Sequence, residues 1–208
     1  MILNKSRNKE YRSQRDTKRR PSSACNVTVA VMGIVQSGNR IETLHGIMPE
    51  DYLMDLLGTD EAWNLLNTVM PGSVINPWNT SYCIAWAVNK AIGRRICKVE
   101  KVTLPEIVHH LSEGGAVGVG GRFTKSGHFV SIAGIESDQD LSVITNPSEV
   151  DITRINNIII DDPWGDYRTG YKNHNGNDII LPVKDFLNIT FGKDKVKTVQ
   201  MYYKTSDE

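Results

Sequence analysis

Pro21-Ser22-Ser23-Ala24-Cys25-Asn26-Val27-Thr28 is where this chain changes character: a polar, basic stretch ends and an apolar helical one begins. Val29, Ala30, Met32, Gly33, Ile34 and Val35 carry the helix on as a buried one with small-residue contacts, and Ser22 and Ser23 both suit its N-cap. A cysteine at that point meets the unpaired amides of the first turn, which together with the helix dipole favour thiolate over thiol. The same position also suits a small buried core cysteine, since free Cys is among the most buried residue types.

Upstream of this stretch lie Lys5, Arg7, Lys9, Arg12, Arg15, Lys18, Arg19 and Arg20 against only Glu10 and Asp16. This basic segment reads as a solvated arm, the alternative being a patch that meets an acidic partner or polymer. Over the whole chain of 208 residues, Lys plus Arg and Asp plus Glu balance at 24 each, so no global field recruits nucleic acid or an anionic membrane. A nucleic-acid site would have to be confined to residues 5–20. No stretch reaches the roughly 20 apolar residues of a membrane span, and a basic-then-apolar signal pattern is missing from the start, which points to a cytoplasmic protein. Cys25, Cys83 and Cys97 form neither an even disulfide framework nor a C-x-x-C pair, so no metal site is expected.

Downstream, the texture runs from a helical first half to a strand-rich second half without a Pro/Gly/Ser linker. This predicts an α+β fold with a single domain over 11–204, a flexible basic arm over 1–10 and a tail over 205–208. Helical spacing covers Pro49 to Met70 with a break around Gly58, Ser81 to Ile92 closed by Gly93, and Leu104 to Leu111 opened by Pro105. Cys83 falls on the apolar face of the second of these and reads as core. Asn76-Pro77-Trp78-Asn79 is a turn. Strands are expected over 116–121, 128–135, 157–162, 178–183 and 196–203, with a short helix from Val183; the nearly all-apolar third strand reads as central. Trp78, Trp164 and Tyr167 suit either packing or a cleft wall.

A thiol nucleophile needs a base, and the base needs a group that fixes its ring. His45, His109, His110 and His174 have no catalytic context. His128 follows Lys125-Ser126-Gly127 and opens an apolar strand, so its ring sits at a strand mouth. Asp162 ends another strand just before Pro163-Trp164-Gly165, and neighbouring strands could bring the two together. Each also has a structural reading, His128 as a strand-end histidine and Asp162 as a turn cap. Asp161 competes with Asp162, and because strand residues alternate faces only one of them can reach the imidazole. Gln14 could donate a side-chain hydrogen bond to an oxyanion beside the Cys25 amide.

Three blocks then resemble a known family. Tyr11-Arg12-Ser13-Gln14-Arg15-Asp16 with Arg20-Pro21-Ser22-Ser23-Ala24-Cys25-Asn26-Val27-Thr28, Gly120-Gly121-Arg122-Phe123-Thr124-Lys125-Ser126-Gly127-His128-Phe129-Val130, and Asp162-Pro163-Trp164-Gly165 followed by Gly170-Tyr171-Lys172 and Asn175-Gly176 are similar, in this order, to the papain-like cysteine peptidases related to bacteriocin double-glycine leader peptidases. The resemblance spans roughly residues 11–190. It implies a papain-like fold, Cys25 as nucleophile, His128 as general base and acid, Asp162 as orienting carboxylate and Gln14 as oxyanion donor, with no cofactor. Val29-Ala30-Val31-Met32 departs from the family's usual Ser-Leu-Ala-Met, a change in helix packing rather than chemistry. Without apolar spans or a G-x-x-x-x-G-K-[ST] loop the chain does not read as a leader-peptide exporter. Stand-alone relatives of this type occur in bacteria and phages, sometimes as cell-wall lytic modules. The expected substrates are therefore a peptide, a protein or peptidoglycan cross-links, and the contrasting reading is a catalytically idle binding or virion-structural module.

Overall fold

Helix α1 (Cys25–Gln36) is buried on nearly every side, because Val27, Val29, Ala30, Val31, Met32 and Ile34 leave no polar stripe along it. A computed structural model, which describes residues 2–4, 10–43 and 46–205, lays this helix across one face of a seven-stranded sheet. The strands are β1 (Ile2–Asn4), β2 (Cys97–Val102), β3 (Ala116–Gly121), β4 (His128–Ser137), β5 (Ile155–Asp161), β6 (Ile179–Pro182) and β7 (Lys197–Tyr202). Their order is β2-β7-β3-β4-β5-β6, with β1 added to the far part of β4, and every pairing is antiparallel. Five further helices complete the described fold: α2 (Pro49–Leu57), α3 (Asp60–Val69), α4 (Ser81–Ile92), α5 (Leu104–Ser112) and α6 (Val183–Thr190). The fold is α+β. No helix among the described residues is long and apolar enough to cross a membrane.

The sheet is apolar on both faces, and each face has its own core. On one side α1 to α4 pack together with Cys97, Ala116 and Tyr202. On the other, α5 and α6 cover Val117, Val119, Val130, Ile132, Ile158, Ile160 and Val199. Gly33 sets the distance between α1 and the sheet: a Cβ there would fall 2.5 Å from the Tyr202 ring, itself fully buried. Gly33→Ala should therefore cost about 1–3 kcal/mol through overpacking. A denaturant melt reads this directly, and an unchanged midpoint would show that the helix does not seat on Tyr202.

Most predicted elements stand within a residue or two, including the break at Gly58, the left-handed Gly93 cap and β3 over Ala116–Gly121. Several expectations change. The sheet is not drawn from the second half alone, since β2 lies in the first half and β1 at the amino terminus. Strand β2 escapes pattern reading because Lys98, Glu100 and Lys101 interrupt its apolar residues, a composition suited to the sheet edge it occupies. Strand β5 is interior but one place from the edge.

The arm over 1–10 holds a strand at Ile2–Asn4; Lys5, Arg7 and Lys9 lie outside the described residues, as do His45 and the last three residues of the tail. Beyond residue 10 the basic segment is not a solvated arm. Arg12 forks onto the buried Glu50 carboxylate, Asp51 accepts from the Lys18 and Arg19 amides at 3.0 and 2.7 Å, and Arg19 pairs with Asp55. Arg15 and Arg20 stack on Trp164 and Trp78.

Candidate active site

The cap of α1 differs from expectation in a way that matters for the thiol. Ser22 and Ser23 belong to a 3-10 turn, Pro21–Ser23, and the N-cap is Ala24, whose side chain has nothing to offer. The first bond of the helix runs from the Thr28 amide to the Ala24 carbonyl at 2.9 Å. The amides of Cys25, Asn26 and Val27 therefore lie ahead of the ladder, free to meet an anion at the helix start. Cys25 is partly exposed there, whereas Cys83 and Cys97 are buried. Burial raises the Cys83 thiol and pushes Cys97 up to about 12, so neither is a reactive thiol.

His128 is delivered by a tight turn. Gly127 adopts φ 84°, a left-handed conformation that favours glycine, and its carbonyl accepts from Thr124 Oγ1 at 2.6 Å. The imidazole then reaches across to the next strand, where Nε2 sits 2.7 Å from Asp162 Oδ1, with both side chains nearly closed off from water. With Nε2 committed to the carboxylate, Nδ1 is the nitrogen left for Cys25. Burial by itself lowers the imidazole, but hydrogen bonding to Asp162 and Cys25 and the charges of both outweigh it and lift His128 to about 9.

Asp162 is held from several directions. Oδ1 also accepts from the Trp164 amide at 2.9 Å, its own amide donates to the Gly176 carbonyl at 2.9 Å, and its carbonyl accepts from Tyr11 Oη at 3.1 Å. The same Tyr11 oxygen accepts from the Gly176 amide at 3.1 Å. Gly176 is required by this contact: a Cβ would lie 2.1 Å from the Asp162 carbonyl.

Asp161 points the other way. It accepts from Gln36 Nε2 at 3.1 Å and from the Asp178 amide at 2.9 Å, in a buried network that also ties Ser131 to Gln36. The geometry thus separates the two carboxylates that the sequence left in competition.

Gln14 is buried in the segment pinned beneath this turn. Its amide donates to the Pro163 carbonyl at 2.9 Å and its Nε2 to the Pro21 carbonyl at 2.6 Å, four residues before Cys25. The carbonyl partner fixes which end of the side chain is nitrogen, and a second N–H remains on it. Its Oε1 is buried without a hydrogen bond.

Cys25 and His128 share a cleft of about 570 Å³ floored by Gly120, Gly121 and Phe129 and rimmed by Ser22, Ser23 and Asn79. Trp78, Trp164 and Tyr167 do not line it; they are packing residues, set against Trp63 and Arg20, Arg15, and Phe123 respectively.

Sequence reasoning missed two supports. Tyr11 was only part of a block, although a tyrosine three residues before Gln14 was there to be weighed. Tyr171 sets its ring edge-on to His128, with centroids 6.1 Å apart, from a left-handed backbone at φ 63° that disfavours a bulky residue. Burial, and then the Asp162 charge, keep its phenol protonated. No sequence pattern announces that ring contact.

Comparison with protein-family models, with curated proteins and with solved structures found no match to this chain.

Proposed function

We propose that this chain is a papain-like cysteine peptidase that hydrolyses a peptide or isopeptide bond. The observation that carries the reading is the His128 ring, fixed by Asp162 at 2.7 Å through Nε2 and sharing one cleft with the Cys25 thiol at a helix start. A helix-borne cysteine set against an antiparallel sheet, with His128 at the start of one strand and Asp162 just past the end of the next, also supports the papain-like form.

In the proposed reaction the Cys25 thiolate attacks the substrate carbonyl. The amide of Cys25, ahead of the helical ladder, and the second N–H of Gln14 Nε2 are the donors for the oxyanion. The His128 imidazolium gives its proton to the leaving amine, and the neutral ring then takes a proton from the water that hydrolyses the acyl-enzyme. Asp162 holds the ring throughout and stabilises its charged form.

Labelling with a thiol-directed alkylating probe at neutral pH tests the first step. Cys25 should react well ahead of Cys83 and Cys97, and His128→Ala should slow that reaction. Equal labelling of the three cysteines would overturn the reading. Because the His128 pKa is raised, the imidazolium is present below about 9 and lost as pH climbs through it. Hydrolysis should therefore decline on the alkaline side near that pH. Purified sacculi and a denatured protein, offered side by side, separate peptidoglycan cross-links from ordinary peptide bonds as substrate.

A further inference from the structure

Strand β3 lies between the strand that carries His128 and β7: Gly121 of β3 faces His128 of β4, and Val119 faces Val199 of β7, where that second pairing ends two residues short of Lys197.

Two hollows share lining residues with the Cys25 cleft. Gly120 and Phe129 belong both to the Cys25 cleft and to a hollow of about 500 Å³ lined by Lys101, Lys195 and Lys197. Gly121 links the cleft to a second hollow, of about 740 Å³, lined by Arg122, Lys193 and Lys197.

Five cations thus meet one carboxylate, Asp194. Among the described residues none of the five makes an ion pair, in contrast to Arg12, Arg19, Lys90 and Arg168, each of which has a carboxylate partner. Arg122 is already oriented by the Asn188 carbonyl at 2.9 Å. The Lys197 ammonium is pulled down first by burial and also by the Arg122 charge, with Asp194 only partly compensating, so an arriving carboxylate would relieve it.

We propose that the trough made by these two hollows, lined by Lys101, Arg122, Lys193, Lys195 and Lys197, is a specificity subsite for an acidic side chain of a peptide substrate held in the Cys25 cleft. The assignment rests on the peptidase reading. The lining the trough shares with the Cys25 cleft favours a peptide over a nucleic acid as the anion.

The test uses the full chain and fluorescent peptide pools with Glu, or isosteric Gln, stepped through the positions on either side of a central amide. Binding to the Cys25→Ala chain is read by anisotropy and cleavage by the unaltered chain. Glu pools should bind, and be cleaved, about tenfold better than Gln pools at low ionic strength, with the preference shrinking in high salt. The double variant Lys195→Glu/Lys197→Glu should abolish or reverse it. Equal handling of Glu and Gln, or a preference untouched by charge reversal, would overturn the proposal. So would displacement of the Glu pool from the trough by an equimolar single-stranded oligonucleotide that binds more tightly. Glu-selective binding through the trough with no cleavage by the unaltered chain would overturn the peptidase reading while upholding recognition of the acid.

Discussion

Cys25→Ala and His128→Ala should each lower kcat/KM by about 10⁵–10⁶-fold, the scale seen when a nucleophile or its base is removed from a triad that acts as a unit. The double variant should lose little more than either single one, because each loss already disables the same step. Both substitutions ought to leave the fold in place. Cys25 is partly exposed on the helix start, and His128 sits at a strand mouth rather than in either core cluster. Steady-state rates on a cleaved substrate, read beside a thermal melt, give the result. Activity within tenfold of the unaltered chain in either variant, with the melt unchanged, would remove Cys25 and His128 from the chemistry.

Asp162→Ala should lower kcat by about 10²–10⁴-fold, since the ring loses the acceptor that fixes it through Nε2 and the imidazolium loses its counter-charge. The neighbouring substitution should do something different. Asp161 accepts from Gln36 Nε2 and from the Asp178 amide in a buried setting. Asp161→Asn places a donor against one of those donors, at a cost of about 1–3 kcal/mol in stability, while kcat stays near its starting value. Measuring kcat and a urea midpoint for both variants gives a crossed pattern. If Asp161→Asn carried the larger loss of kcat, the orienting carboxylate would have been assigned to the wrong face of β5.

That crossed pattern also shows where sequence reading runs out. Alternation along a strand dictates that adjacent aspartates face opposite sides, so one of the two had to be excluded. Which side carried His128 depended on the pairing of β4 with β5, where Ser131 faces Asp161, and on the turn after Asp161. Helices were legible because apolar spacing, Pro105, Gly58 and Gly93 act locally. The edge strand β2 was not, because charged residues at a sheet edge look like those of a loop. Ser22 and Ser23 were good caps by type, yet the 3-10 turn at Pro21 carried them past the capping position and left Ala24 there.

The basic segment is the plainest case of context deciding against composition. A run of arginines and lysines beside few acids reads as solvated. Glu50, Asp51 and Asp55 on α2, with the faces of Trp78 and Trp164, make residues 12–20 a strap that holds Gln14 against Pro163 and Pro21. Those partners lie tens of residues or more away in the chain and only packing brings them close.

By itself the sequence determined the buried helix after Cys25, the strand that opens at His128, the α+β texture and the rule that one of Asp161 and Asp162 must turn away. Each follows from short-range physics: apolar periodicity, glycine and proline stereochemistry, and the two-residue repeat of a strand. The tertiary structure alone decided that Asp162 is the carboxylate on His128, that Tyr11 and Tyr171 support it, and that Gly121 lines both the Cys25 cleft and the hollow beside Lys197. Those relations join strands and loops distant in sequence, and they exist only once both faces of the sheet are covered and its register is set.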